Sequence, residues 1–211
     1  PKVIARCRMN YPKLEVSTYE DFYPLLVEAV AQGEIDLALT SLPIRDRRVS
    51  VETLFKEPLH LVLGHGHRLA DQKDITVMDL QDEKFIMLGT ASSVTAQIRQ
   101  FCGDHNFEPR IEHRCSQIKT LKTLVGLSLG VAILPAGTFS PEDEQTLIYR
   151  ALSGRSTPTR EIALIRHPRR YASRGTEQFI ATLRDALARA PIPLAPDAPR
   201  PTESAATSAQ P

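Results

Sequence analysis

Residues 86–109, "IMLGTASSVTAQIRQFCGDHNFEP", read as a strand, a hydroxyl-rich turn and a helix, and that order decides the fold. The run "KFIML" ends in the turn "GTASS", after which Val94, Ile98, Phe101 and Cys102 recur at the steps of a helix with one buried side. A strand "RIEHRC", a helix from Ser116 to about Ser128 with Ile118, Leu121, Val125 and Leu129 on one face, and the strand "VAIL" continue the alternation. Such alternation of strands and helices predicts an α/β architecture.

The chain opens in what reads as a helix, without an initiator Met, and is expected to be a piece of a longer protein. "YPKLEV" predicts a short strand over Val16 to Thr18, and "DFYPLLVEAVAQG" a helix with Phe22, Leu25, Leu26, Ala29 and Val30 in register. Pro24 suits a first turn and Gly33 a left-handed stop. The near-continuous apolar run in "EIDLALTS" suits a parallel strand covered on both faces, which makes this stretch a βαβ unit. Two extended runs, "VETLFK" and "LHLVLG", follow; later come the strand "REIALIRH" and a final helix, "TEQFIATLRDALARA". From Pro191 onward the chain holds six of its 16 prolines and little that could pack, so 191–211 reads as a disordered tail. The whole is expected to form two doubly wound α/β lobes.

Composition narrows the function. The 211 residues are 42% hydrophobic, enough for a sizeable core. A net charge of +1, with basic residues clustered only in pairs, gives no electrostatic ground for nucleic-acid binding by this segment. Three cysteines without paired spacing suit a reducing compartment. No apolar stretch approaches the ~18 residues of a membrane span, and no signal-peptide core is seen, so the expected location is the cytoplasm.

In open α/β sheets ligands sit beyond the carboxyl ends of strands, where helix N-termini point. The turns after "IDLAL" and "FIML" are two such ends, and they carry Thr40, Ser41, Thr90, Ser92 and Ser93. Free helix N–H groups beside hydroxyls form a site for a carboxylate or another small polar group. Alternatively Ser92 or Ser93 simply caps its helix. His60, His65 and His67 have the spacing of a metal site but lack nearby cysteine or carboxylate ligands, so no metal and no cofactor is expected. A catalytic Ser92 or Ser93 would need a histidine and an orienting acid, for which His105 and His113 qualify only by count; no enzyme is expected.

The ordered marks "YPKLEV", "GEIDLAL", "EPLHLV" and "LVGLSLGVAILP" resemble the effector-binding domain of LysR-type transcriptional regulators, from about Pro1 to Ala190. The resemblance implies a periplasmic-binding-protein-like fold of type 2, truncated at its N-terminus by its first strand. Lobe I would comprise residues 1–62 and 135–190, and lobe II residues 63–134. It further implies a small-molecule effector, such as an organic anion, between the lobes, a homodimer or homotetramer, and DNA contact through a winged helix-turn-helix outside this chain. The pairing would set the helix Phe22 to Ala31 against Ile118 to Leu127 of a second copy. Effector-binding residues would be Tyr23, Thr40, Ser41, Thr90, Ser92 and Ser93, with Tyr23 limiting ligand size where relatives carry a small hydroxyl residue.

The second half is most similar to the peroxide-sensing OxyR branch. There the reactive cysteine falls at Ser93, the histidine before it at Ser92, and the disulfide partner at Cys102. Serine offers no thiolate to oxidise, so Cys102 is expected to be a small buried hydrophobe. Ser128 stands where the family has a helix-ending glycine, so the left-handed turn there costs more or is built differently. The rival readings are a solute-binding protein of the same fold, which the sequence upstream would separate from a regulator, and an OxyR-like redox sensor.

Overall fold

The computed structural model describes residues 1–153 and 157–189; the tail expected to be disordered lies outside them. Its longest strand is β2, Ser50–Gly64, a single strand where the sequence suggested two runs. The first part of β2 pairs antiparallel with β7 (Thr159–Arg166), from Ser50 opposite Arg166 to Pro58 opposite Thr159. The second part, from Leu59, changes partners to β5 (Ala132–Pro135) and to β6 (Leu147–Arg150). Proline has no N–H to give a ladder, and Pro58 sits where the change occurs. Strand β6 was not anticipated: "LIYR" is only four residues long, too short for a periodicity to show.

Beyond that change the chain is wound as expected. Strand β3 (Lys84–Leu88) runs parallel to β4 (Arg110–Cys115), and its Ile86 N–H donates to Val131 O at 2.8 Å just before β5. Helices α3 (Ser93–Asp104) and α4 (Ile118–Gly126) cover opposite faces. Phe85, Met87, Leu61, Leu63 and Ile133 meet α3, whereas Ile86, Val62, Ala132 and Leu134 meet α4. That split is the two-residue alternation of a strand, and it commits both sides of the sheet to core. Gly130 is required by a close approach, since a Cβ there would stand 2.5 Å from the Lys84 carbonyl oxygen.

The other sheet part holds β1 (Leu37–Ser41), β7 and the start of β2. Helix α2 (Tyr23–Gln32) packs on Ala38 and Ile165, while α1 (Lys2–Asn10) and α5 (Arg174–Arg189) lie on the side of Leu37 and Leu164. Gly33 ends α2 with φ 74°, as its position suggested.

Three expectations fail here for physical reasons. Val16 to Thr18 form no strand, because no backbone hydrogen bond to a described residue gives this stretch a ladder. Strand β1 pairs antiparallel with β7 and on one edge only, so the parallel βαβ unit is not formed and Leu39 is 44% exposed. Phe22 precedes α2 and is exposed, Leu25 faces outward and Val27 is buried instead; "YPLLVEAVA" is apolar almost all round, so periodicity could not choose the face.

Helix α4 ends on Ser128 at φ 56°. The Ser128 N–H donates to Val125 O at 2.8 Å and the Leu129 N–H to Leu124 O at 3.2 Å, the paired bonds of a Schellman stop. Left-handed backbone strains any residue with a Cβ. Replacing Ser128 with Gly is therefore expected to stabilise the fold by about 1 kcal/mol, read as a rise of roughly 2–4 °C in Tm by calorimetry. No described helix is long and apolar enough to cross a membrane.

Candidate functional site

The chain ends of β1 and β3 and the N-termini of α2, α3 and α4 converge on a cavity of about 850 Å³. Tyr23, Thr40, Ser41, Ser92 and Ser93 all line it; Thr90 does not, being exposed on the outer side of its turn. Apolar walls come from residues such as Leu39, Phe55, Leu88 and Ile162. The exposure of Leu39 that seemed out of place in a strand is exposure to this space.

Two direct bonds join α3 to the end of β1. The Ser41 hydroxyl donates to Ser93 Oγ at 2.7 Å, and Gln97 Nε2 donates to the Leu42 carbonyl at 2.9 Å. Ser92 occupies the N-cap position of α3, but its side chain makes no capping bond, contrary to the expected role. Thr95 turns its hydroxyl back to Leu88 O at 3.0 Å. Gln117, at the N-cap of α4, likewise leaves its helix without a side-chain cap. Two helix N-termini with uncapped amides thus border one cavity, and both favour negative charge.

The residue that sequence reasoning missed is Arg160. It stands on β7 in register with Glu57 of β2 and lines the cavity. Its Nε donates to Glu57 Oε2 at 2.7 Å, while Glu57 Oε1 accepts the Gly137 N–H at 2.7 Å. Glu57 is only 3% exposed, so this carboxylate is a structural anchor that fixes the guanidinium. The fork's outer nitrogens hold no hydrogen bond to another described residue. No local motif could reveal a pair 103 positions apart: Arg160 opens the run read as the strand "REIALIRH", but Glu57 falls between the runs "VETLFK" and "LHLVLG". A second missed charge, Asp21, lies at the start of α2. Tyr19 O–H donates to its Oδ2 at 2.6 Å and Phe22 N–H to its Oδ1 at 2.8 Å, and these bonds hold its carboxyl below the usual range.

Cys7, Cys102 and Cys115 are buried free thiols. Burial pushes the Cys102 thiol up to about 12, in the core formed by Leu61, Phe85 and Ile98. The histidines separate: His65 meets the Glu144 carbonyl, His67 approaches Glu83, and His105 lies at the far end of α3 on the Phe101 carbonyl. Among the described residues no three His, Cys, Asp or Glu side chains are grouped to hold a metal ion.

Known proteins share both sequence and shape with this chain. The uncharacterized HTH-type transcriptional regulator YwbI of Bacillus subtilis is 32% identical over 135 residues, covering 64% of this chain and 45% of its own length. The hydrogen peroxide-inducible genes activator of Pectobacterium carotovorum is 26% identical over 186 residues, covering 88% and 61%. The chain thus spans about half the length of the curated relatives it matches. Among solved structures, the Synechocystis CcmR regulatory domain in complex with 2-PG superposes with a TM-score of 0.79 at 20% identity, covering 88% of this chain and 89% of that one. The effector binding domain of QuiR in complex with shikimate gives 0.78 at 17%, covering 90% of each. The fold is accordingly that of LysR effector-binding domains, of the type 2 periplasmic-binding-protein-like class. Residues 1–188 match the LysR substrate binding domain, and the chain belongs to that family.

Proposed function

We propose that this chain is the effector-sensing part of a LysR-type DNA-binding transcriptional regulator, and that its effector is a small organic anion held in the 850 Å³ cavity. The observation that carries this reading is Arg160, a guanidinium fixed by buried Glu57 on the wall of a cavity bordered by two uncapped helix N-termini and the hydroxyls of Thr40, Ser41, Ser92 and Ser93. A bidentate donor facing dipoles of the same sign suits a carboxylate. The ligands in the CcmR and QuiR complexes, 2-PG and shikimate, are small molecules of the size such a cavity takes.

The cavity lies between two lobes in this proposal, residues 1–62 with 135–190 and residues 63–134. The change of ladder partners after Pro58 supports a boundary in that region. A ligand touching Arg160 on one side and α3 and α4 on the other favours one interlobe arrangement, by its difference in affinity for the two. The change passes to DNA through a winged helix-turn-helix elsewhere in the full protein and through pairing of copies. The outward apolar residues Leu25 on α2 and Leu127 just past α4 support such pairing. The named relatives are transcriptional regulators, which favours this reading over a transport protein of the same fold.

Removing Arg160 alone would strand a buried carboxylate, so the test is the double variant Arg160→Gln with Glu57→Gln, which keeps a neutral pair. Anions that raise the melting temperature of the parent chain are expected to bind the double variant roughly tenfold to a hundredfold more weakly, the range of about 1.5–3 kcal/mol for a charge-assisted hydrogen bond. Equal binding would remove Arg160 from the site.

Ser93→Phe fills the same cavity and is expected to abolish the ligand-dependent shift while the fold melts cooperatively. A ligand response that survived intact would misplace the site.

Cys102 is expected to resist peroxide and iodoacetamide in the folded chain near neutral pH, because its thiolate is scarce and enclosed. Mass spectrometry before and after exposure checks this; oxidation of native Cys102 at rates typical of exposed thiols would restore a redox role.

A further inference from the structure

Among the described residues, the wall of the cavity carries two formal charges of opposite sign: the guanidinium of Arg160 and the carboxylate of Asp21. Asp21 is not a freely moving surface acid. Tyr19 O–H and Phe22 N–H take one lone pair on each of its oxygens, which fixes the plane of the carboxylate at the foot of α2. An ionised carboxylate accepts about four hydrogen bonds in all, so both oxygens keep capacity for a further donor. No Lys, Arg or His among the described residues forms an ion pair with it. A fixed, ionised and unneutralised acid beside an anion site works against a simple carboxylate ligand. It works in favour of one that brings its own cation.

Resting on the anion-site reading above, we propose that the effector is an amino carboxylate, its carboxylate on Arg160 and its ammonium group on Asp21. The remaining walls then supply the side-chain selection: Leu39, Phe55, Leu88 and Ile162 are apolar, and Tyr23 and Gln117 add polar groups at their margin. An amino acid should be preferred to its hydroxy analogue, because an ammonium group gives Asp21 a charged donor where a hydroxyl gives a neutral one.

The experiment is isothermal calorimetry on this chain with a matched panel: α- and ω-amino acids, the hydroxy acids that replace ammonium with hydroxyl, and the amines that lack the carboxylate. The proposal expects an amino acid to bind, its hydroxy acid to bind at least roughly tenfold more weakly, and its amine to fail. Asp21→Asn, a substitution at an exposed position, should keep the melting temperature and close the gap by weakening the amino acid alone. Tyr19→Phe, which removes only the orienting hydroxyl, should weaken the amino acid by a smaller factor and leave the hydroxy acid unchanged. If the hydroxy acid binds as tightly as the amino acid, or Asp21→Asn weakens both equally, the amino carboxylate proposal is overturned while the Arg160 anion site stands. If acids bind and the Arg160→Gln, Glu57→Gln double variant binds them unchanged, both readings fall. If no member of the panel binds the parent chain, the amino carboxylate class is wrong for this cavity.

Discussion

Strand β2 is shared by two sets of partners, and that sharing constrains everything near the cavity. Its 15 residues pair first with β7 and then, past Pro58, with β5 and β6. A strand that leaves one ladder for another must have its polar backbone satisfied at the crossing, or the buried groups cost stability. Here the Leu59 N–H donates to the Pro158 carbonyl at 2.8 Å, and buried Glu57 takes the Gly137 N–H just after β5 ends. Glu57 therefore ties the crossing strand to the returning one.

A buried carboxylate needs a cation as well as a hydrogen bond, because desolvation of an unpaired charge costs several kcal/mol. Arg160 supplies it from β7, directly across the ladder. One consequence is structural and the other chemical. The pair fixes the crossing, and it also sets a guanidinium on the cavity wall in one orientation, where a flexible lysine would wander. The site's cation is thus a by-product of how the strand crosses, and its placement is as rigid as the sheet.

The alternating block from Lys84 to Pro135 was legible because β3 and β5 are buried on both faces and each helix on one, while the half-buried β4 alternates charged and less polar residues. Ser92 and Ser93 line the cavity at the chain end of β3, where the wound topology points; Thr40 and Ser41 line it too, although β1 is an antiparallel edge and the parallel unit they were read from is not formed. Less could be read at the beginning of the chain. Strand β1 has an apolar run like that of a parallel central strand, yet it is an antiparallel edge whose outward Leu39 faces the cavity. Composition cannot separate burial in a core from exposure to a ligand space. Nor could it find Arg160, whose meaning lies in a partner far along the chain, or Asp21, which reads as any acid before a helix.

The Ser41–Ser93 bond shows what a ligand has to overcome. It joins neutral hydroxyls, and a bond of that kind contributes about 1 kcal/mol. Moving an equilibrium from nearly all of one arrangement to nearly all of the other takes about 5.5 kcal/mol of differential affinity. Breaking one hydroxyl contact therefore neither prevents switching nor drives it. On the proposed reading the driving difference comes from charge: a ligand carboxylate on Arg160 would gain most with the uncapped amides of α3 and α4 close to it, and would lose that gain with them withdrawn. On that reading the anchor belongs to the sheet part that holds β7 and the switch to the helices α3 and α4. A ligand bridging them is then held by Arg160 in either arrangement and favours the one in which the helix amides also reach it.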